Sequence, residues 1–267
     1  MLTGKEMRLN KLFKHSQRLF TVPMDHGITV GPITGLTDMP GMVKMVVAGG
    51  ADAVIVHKGL VKQIVRELNL GKGELIVHLS ASTSLGPEPN QKELVSSVEH
   101  AIRLGATAVS VHVNLGSNSE AAMIKDMGQV AEYCDLWGMP LLAMMYVRDG
   151  NKENEFDPTK IKHAARVAEE VGADIIKVNY TGTVETFREV TGSVKVPVII
   201  AGGQKLNSTY DLLVMIADAL KAGAKGVSIG RNVFQNTNPA LLVKAIRKVL
   251  DEEMSRDILK ELAKNLN

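Results

Sequence analysis

The chain has a single cysteine among its 267 residues, Cys134, so it cannot form an intrachain disulfide. That fits a reducing compartment, and a cytoplasmic location is expected. It also lacks charge of one dominant sign. Its 31 basic and 29 acidic residues leave a net charge of +2, which gives no field to argue for nucleic acid or a membrane surface. No apolar stretch is long enough to span a bilayer. The basic, amphipathic start, MLTGKEMRLNKLFKHSQRLF, lacks the continuous apolar core of a secretion signal. A mitochondrial presequence has a similar look, but Glu6 and the scarcity of serine speak against one. No linker, low-complexity tract or composition shift marks a boundary. One domain is therefore expected over residues 1–267, within which residues 1–18 form a helical extension that closes the bottom of the strand core. No G-x-G-x-x-G follows the first apolar run, where a dinucleotide-binding fold would place it. The residues there are Asp25-His26-Gly27. No cofactor is expected.

The chain does carry enough apolar residues, 45 %, to fill a sizeable core. Eight short apolar runs recur: Leu19–Met24, Ala53–His57, Leu75–Leu79, Ala108–Val113, Leu141–Met145, Ile175–Lys177, Val198–Ala201 and Gly226–Ile229. They are apolar on both faces, as parallel strands covered by helices are. Helical periodicity fills the gaps, for instance in KIKHAARVAEEV (160–171) and LLVMIADALKA (212–222). Small turns lead from helix into strand at Gly49-Gly50, Gly105, Gly172 and Gly223, resembling glycine C-caps. Eight such units in roughly 250 residues predict a (β/α)8 TIM barrel, an α/β fold. An open, doubly wound sheet is the alternative. The polar stretch 147–158 is expected as a loop over the site, and 239–266 as an amphipathic helical end.

Active sites of TIM barrels stand at the C-terminal ends of the strands. The ends offer Asp25 and His26 (first), His57 and Lys58 (second), His78 (third), His112 and Asn114 (fourth), Tyr146 and Arg148 (fifth), and Lys177 (sixth). The seventh leads into Gly202-Gly203 and the eighth into Gly230-Arg231-Asn232. Loops seven and eight are the habitual phosphate site of this fold. Lys177 closes the apolar run Ala173-Asp174-Ile175-Ile176. Burial disfavours an ammonium, so such a lysine is either ion-paired, with Asp25 or another carboxylate, or valued as a neutral nucleophile that forms a Schiff base. Asp25 and Tyr146 are candidate proton carriers. Lys58 and Lys205 are rival amines assigned to electrostatics or solvent. A second reading gives His57, His78 and His112 to a catalytic zinc, in a metal-dependent lyase or hydrolase. The H-x-H pair of many barrel hydrolases is absent, and no metal is expected. His15, His100 and His163 are read as helix-surface residues, and Cys134 as a core thiol.

The motifs Pro23-Met24-Asp25-His26-Gly27, Val56-His57-Lys58-Gly59, Ser110-Val111-His112-Val113-Asn114, Ala143-Met144-Met145-Tyr146, Asp174-Ile175-Ile176-Lys177, Ala201-Gly202-Gly203 and Gly230-Arg231-Asn232-Val233-Phe234-Gln235 resemble the archaeal-type class I aldolase family. The resemblance covers about residues 8–250. That family includes fructose-1,6-bisphosphate aldolases, 2-amino-3,7-dideoxy-D-threo-hept-6-ulosonate synthases and the thiolase of phosphorylated autoinducer-2. It implies Lys177 as Schiff-base lysine, Tyr146 as proton donor and Asp25 as a second acid–base residue. It further implies phosphate binding by Gly202, Gly203, Gly230 and Arg231, and substrate contact by His26, Gly27, Ile28, Thr29, Val147 and Arg148. The Met-Asp-His-Gly and His-Lys-Gly blocks resemble most the heptulosonate synthase branch, in which a donor derived from a sugar phosphate condenses with aspartate semialdehyde on an entry to aromatic amino acids. A homo-oligomer, a decamer in form, is implied. One departure stands beside the lysine: Val178-Asn179 replaces a threonine and a serine, which leaves donor and acceptor preference open.

Overall fold

A computed structural model of the chain describes residues 3–206 and 208–266. Eight parallel strands close into a barrel: β1 Leu19–Pro23, β2 Ala53–Val56, β3 Glu74–His78, β4 Ala108–Leu115, β5 Leu141–Val147, β6 Ile175–Val178, β7 Val198–Ala201 and β8 Gly226–Ser228. Each strand pairs with its neighbour in sequence, and β8 returns to β1 through the register Leu19↔Gly226 to Thr21↔Ser228. Every expected run is a barrel strand, and the open sheet is excluded by closure. Covering helices begin at side-chain caps: Asp38, Ser97, Asp157, Thr183, Ser208, Asn238 and Ser255 each accept a backbone N–H of the first turn. Four of them, Met39–Ala48, Val98–Arg103, Pro158–Val171 and Thr209–Lys221, end where the sequence places its small turns. After each, the Ala51, Ala106, Ala173 and Ala224 amides reach back five residues to a helix carbonyl, closing the turn.

The two faces of the strands build two cores. Outward side chains such as Val54, Val77, Val109, Ala143, Ile176 and Val178 pack under the helices. Inward ones, Leu19, Ala53, Ile55, Ile76, Ala108, Leu142, Ile175 and Ile199, fill the lower barrel, with Leu12 plugging it from below. Leu12 ends the helix Thr3–Leu12, which therefore does cover the barrel bottom. Lys5 holds that helix in place through Asp135 (2.5 Å) and Asp174 (3.1 Å), and Arg8 donates to the Gly138 carbonyl at 2.9 Å.

Under the barrel floor, Asp52 is fully buried. It accepts from the Phe20 amide (2.8 Å) and Arg247 Nη1 (3.0 Å), and His15 Nδ1 lies at 2.5 Å. His15 thus sits past the end of the first helix in an ion-pair network, whereas the sequence places it on a helix surface. A solitary histidine gives no sign of a partner 37 residues away. His163 is exposed on its helix, and Cys134 is a buried free thiol as expected. The end of the chain is two helices, Pro239–Asp251 and Arg256–Lys264. The stretch after β5 holds a short 3-10 turn, Lys152–Phe156.

Candidate active site

Strand periodicity decides what reaches the barrel mouth. Side chains alternate between faces, so the inward series continues upward from the apolar floor. It runs Ile55 to His57, Ile76 to His78 and Ser80, Ala108 to Ser110, His112 and Asn114, Leu142 to Met144 and Tyr146, and Ile175 to Lys177 and Asn179. The result is a cavity of about 710 Å3 at the C-terminal strand ends. It is lined among others by Asp25, His26, Ile28, Thr29, His57, His78, His112, Tyr146, Arg148, Lys177, Gly202, Gly203, Gly230 and Arg231. Nearly all residues singled out in the sequence therefore share one space. Val147 does not, because alternation sends it outward, and Gly27 begins the short turn Gly27–Val30 without facing the cavity. Lys58 and Lys205 also stay outside: Lys58 Nζ donates to the Val95 carbonyl, and Lys205 Nζ to that of Gln235.

Lys177 is 5 % exposed. Its Nζ lies 3.8 Å from Met144 Sδ and 6.0 Å from the Tyr146 ring centre. Among the described residues no carboxylate pairs with it, so the ion-pair reading of this lysine fails. Asp25 pairs with imidazoles instead: His26 Nδ1 at 3.5 Å and His78 Nε2 at 3.7 Å. Burial alone would raise the Asp25 carboxyl, but the neighbouring imidazoles of His78, His26 and His57 and the Lys177 amine hold it below the usual carboxylate range. Burial pushes His78 down to about 4, against the pull of Asp25, so its ring is neutral at pH 7. His78 Nδ1 is 2.8 Å from Ser110 Oγ. With the hydroxyl donating, the imidazole N–H faces Asp25. Burial likewise keeps His57 and His112 low.

The three histidines of the zinc reading are not arranged as ligands. His112 Nε2 is engaged by Asn114 Oδ1 at 2.8 Å, and its ring stacks on Tyr146 at 4.8 Å. Among the described residues no group of three His, Cys, Asp or Glu side chains is placed to hold a metal ion.

The mouth of β7 and β8 is built from backbone. Gly203 takes φ +64°, a conformation costly for other residues, and the space on its Cα is open. A methyl group at Gly230 would lie 2.7 Å from the Pro23 carbonyl oxygen and 2.9 Å from His26 Cε1, so only glycine fits. Asn232 ties the two loops: its Nδ2 donates to the carbonyls of Gly202 (2.9 Å) and Gln204 (3.1 Å), and its Oδ1 accepts from the Leu206 amide (2.8 Å). Arg231 Nε is buried without a partner. Burial lowers the guanidinium, and no carboxylate of the described residues offsets it. A donor left in this way is complementary to an incoming anion.

Asn179, Ser80 and Lys92 also line the cavity. The first two could have been found by carrying the alternation two residues past each strand. Asn179 Nδ2 donates to the Glu155 carbonyl at 3.0 Å, which ties the 147–158 loop over the site, and Glu155 also pairs with Arg148. Of the departing pair, only Asn179 faces the site; Val178 packs outward. Lys92 stands in the loop after β3. The signal for it was the length of that Pro- and Gly-rich connection, residues 82–92.

Residues 19–236 match the model of the DeoC/LacD family aldolase. A 2-amino-3,7-dideoxy-D-threo-hept-6-ulosonate synthase of Halobacterium salinarum is 45 % identical over 250 residues, 94 % of this chain and 92 % of the relative. A 2-amino-4,5-dihydroxy-6-oxo-7-(phosphonooxy)heptanoate synthase of Streptomyces griseus is 42 % identical over 254 residues, 95 % of this chain and 92 % of the relative. An archaeal fructose-1,6-bisphosphate aldolase, solved with its catalytic lysine bound to the carbinolamine intermediate, superposes with a TM-score of 0.83 at 28 % identity. That match covers 94 % of this chain and all of the other. The chain belongs to the DeoC/LacD family of aldolases.

Proposed function

We propose that this family member is a class I aldolase whose Lys177 forms an imine with the ketone of a phosphorylated ketose. The specific activity we assign is that of a 2-amino-3,7-dideoxy-D-threo-hept-6-ulosonate synthase. The observation that carries the reading is the buried Lys177, without a carboxylate partner among the described residues, in one cavity with Tyr146, Asp25 and the glycine-rich mouth of β7 and β8.

The neutral amine adds to the ketone carbon, and the carbinolamine loses its hydroxyl as water with a proton from Tyr146. The iminium draws electrons from the neighbouring carbon, whose proton passes to the Asp25 carboxylate. The resulting enamine attacks the aldehyde carbon of the acceptor, the aldehyde oxygen takes a proton, and water releases the product from Lys177. With the six-carbon deoxy-keto-fructose phosphate as donor, the iminium instead draws electrons from a carbon–carbon bond. That bond breaks as Asp25 takes the proton of the hydroxyl on the departing half, a three-carbon phosphorylated aldehyde leaves, and the three-carbon enamine left on Lys177 attacks the acceptor to give the seven-carbon product. The phosphate is held by the backbone amides around Gly202, Gly203 and Gly230 and by Arg231. His26, Ile28, Thr29 and Arg148 line the substrate.

The S. griseus relative's name describes a chain with a hydroxyl at C4, a ketone at C6 and a phosphate at C7. A β-hydroxyketone arises by joining C4 to C5, so its halves are a three-carbon ketone phosphate and a four-carbon 2-amino-4-oxobutanoate, which is aspartate semialdehyde. The name of the H. salinarum relative differs at C7, which is deoxy, and keeps the same amino-acid end. Fructose-1,6-bisphosphate cleavage is the second reading, favoured by the archaeal aldolase structure. A role in aromatic amino-acid biosynthesis, a cytoplasmic location and a homo-oligomer, to be sized by light scattering, belong to the same proposal.

The test supplies aspartate semialdehyde with either dihydroxyacetone phosphate or the deoxy-keto-fructose phosphate, and in parallel fructose 1,6-bisphosphate alone. A seven-carbon 2-amino acid by mass spectrometry is the expected product. Triose phosphates from the bisphosphate, with no seven-carbon product, would replace the synthase by the glycolytic aldolase.

A further inference from the structure

Besides Lys177, Arg231 and Arg148, the cavity is lined by Lys92, a cation that the reaction scheme does not use. Lys92 sits at the end of the loop 82–92, which leaves β3 and returns through the two-stranded hairpin Ser80–Ala81 with Glu93–Leu94. The loop is fixed. Ser82 Oγ donates to the Pro89 carbonyl at 2.7 Å, Asn114 Nδ2 to that of Asn90 at 2.7 Å, and the Ser84 amide to the Thr29 carbonyl at 2.9 Å. So Lys92 is brought to the cavity by a braced segment. It is half-buried, and its Nζ donates to Ser82 Oγ. Among the described residues no carboxylate pairs with it, whereas its neighbour Arg148 is already paired with Glu155.

Position gives this cation a meaning. In the ring of eight strands, β3 and β4 stand across from β7 and β8. The glycine loops with Arg231 therefore form one positive pole and Lys92 the other, with Lys177 on β6 between them. Lys92 acts on the histidine side of the cavity: its charge is felt by His57, His78 and His112, and it is drawn towards Asp25. A ketose anchored by its phosphate at the first pole presents its reacting carbon near Lys177, and the acceptor must enter from the histidine side. A half-buried ammonium that no carboxylate of the described residues contacts costs free energy that an anionic ligand would offset.

We propose that Lys92, positioned by its bond to Ser82 Oγ, is an anion subsite for the acceptor, binding the carboxylate of a short amino-acid aldehyde at the end of the cavity opposite the phosphate. This inference rests on the synthase reading above. It explains how one cavity can take acceptors that carry charge, and it makes Lys92 a specificity residue that does not touch the reacting atoms. It also serves both curated relatives' products alike, since their names share the amino-acid end and differ at the other.

The test compares Lys92→Gln and Lys92→Arg with the natural protein, using dihydroxyacetone phosphate as donor. Acceptors are aspartate semialdehyde, glyceraldehyde 3-phosphate and uncharged propanal. Lys92→Gln is expected to lower the ratio of kcat/KM for aspartate semialdehyde over propanal by about 10- to 100-fold, through KM, with most of the ratio restored by arginine. Calorimetric titration of homoserine, the alcohol counterpart of the acceptor, needs no turnover and is expected to weaken by a similar factor. Equal loss for all three acceptors, or an unchanged homoserine affinity, overturns the subsite. Loss confined to glyceraldehyde 3-phosphate overturns its assignment to a carboxylate. Failure of the natural protein to give a borohydride adduct with dihydroxyacetone phosphate would count against the imine chemistry, a readout separate from homoserine binding.

Discussion

The two ends of the barrel treat charge in opposite ways. Below the floor, charged side chains are satisfied by one another. Asp52 is shared by Arg247, His15 and the Phe20 amide, and Arg247 continues to Asp251, Ser16 Oγ and the Arg18 carbonyl. At the mouth, Lys177, Lys92 and Arg231 have no carboxylate partners among the described residues. Both ends are built on the same eight strands and the same alternation of faces. What separates them is whether polar groups complete each other or are left for a ligand. The lower end therefore reads as stability and the upper as chemistry, in keeping with the general division of this fold.

Substitutions at the two ends break or sharpen that contrast. The largest expected effect is at the mouth: Tyr146→Phe should lower kcat by about 10²- to 10⁴-fold without loss of stability, because a proton carrier is removed while the ring against His112 stays. Thermal melting and steady-state kinetics on one preparation decide it, and an equal fall in both would erase the distinction. At the floor, Asp52→Asn should destabilise the fold by roughly 2–4 kcal/mol, since it weakens the hold on a buried guanidinium, and leave KM values alone. Denaturant unfolding reads this. Arg231→Met should behave inversely, with a rise of about 10-fold or more in KM for the ketose phosphate and a melting temperature unchanged or slightly higher. The smallest effect is the pH slope. His78 is held at about 4, below its ordinary 6.5. Between these values the unfolded chain binds a proton that the folded one does not, so stability rises with pH across that window. His78→Gln should flatten the slope, and an unchanged slope would mean that the imidazole is not held neutral.

Much of this was legible before any coordinates. Eight apolar runs separated by helical segments specify the barrel, because strands buried on both faces must be apolar throughout. The strand ends then point to Asp25, Tyr146, Lys177, Gly202, Gly203, Gly230 and Arg231. The sequence was silent where contacts join distant segments. Nothing in it pairs His15 with Asp52 and Arg247. Nor does it show that a long loop after β3 folds back to deliver Lys92. Facing is also lost when a motif is read as a block: Val147 directly follows Tyr146 and turns outward, whereas Asn179, two residues after Lys177, turns inward.

The central claim is that the unpaired amine at the mouth is the one that bonds to substrate. Reduction with borohydride in the presence of dihydroxyacetone phosphate, followed by peptide mapping, tests it most directly. The account predicts a single stable adduct on Lys177, lost in Lys177→Met. A reduced adduct on Lys92, Lys58 or Lys205, or no adduct while turnover continues, would contradict it.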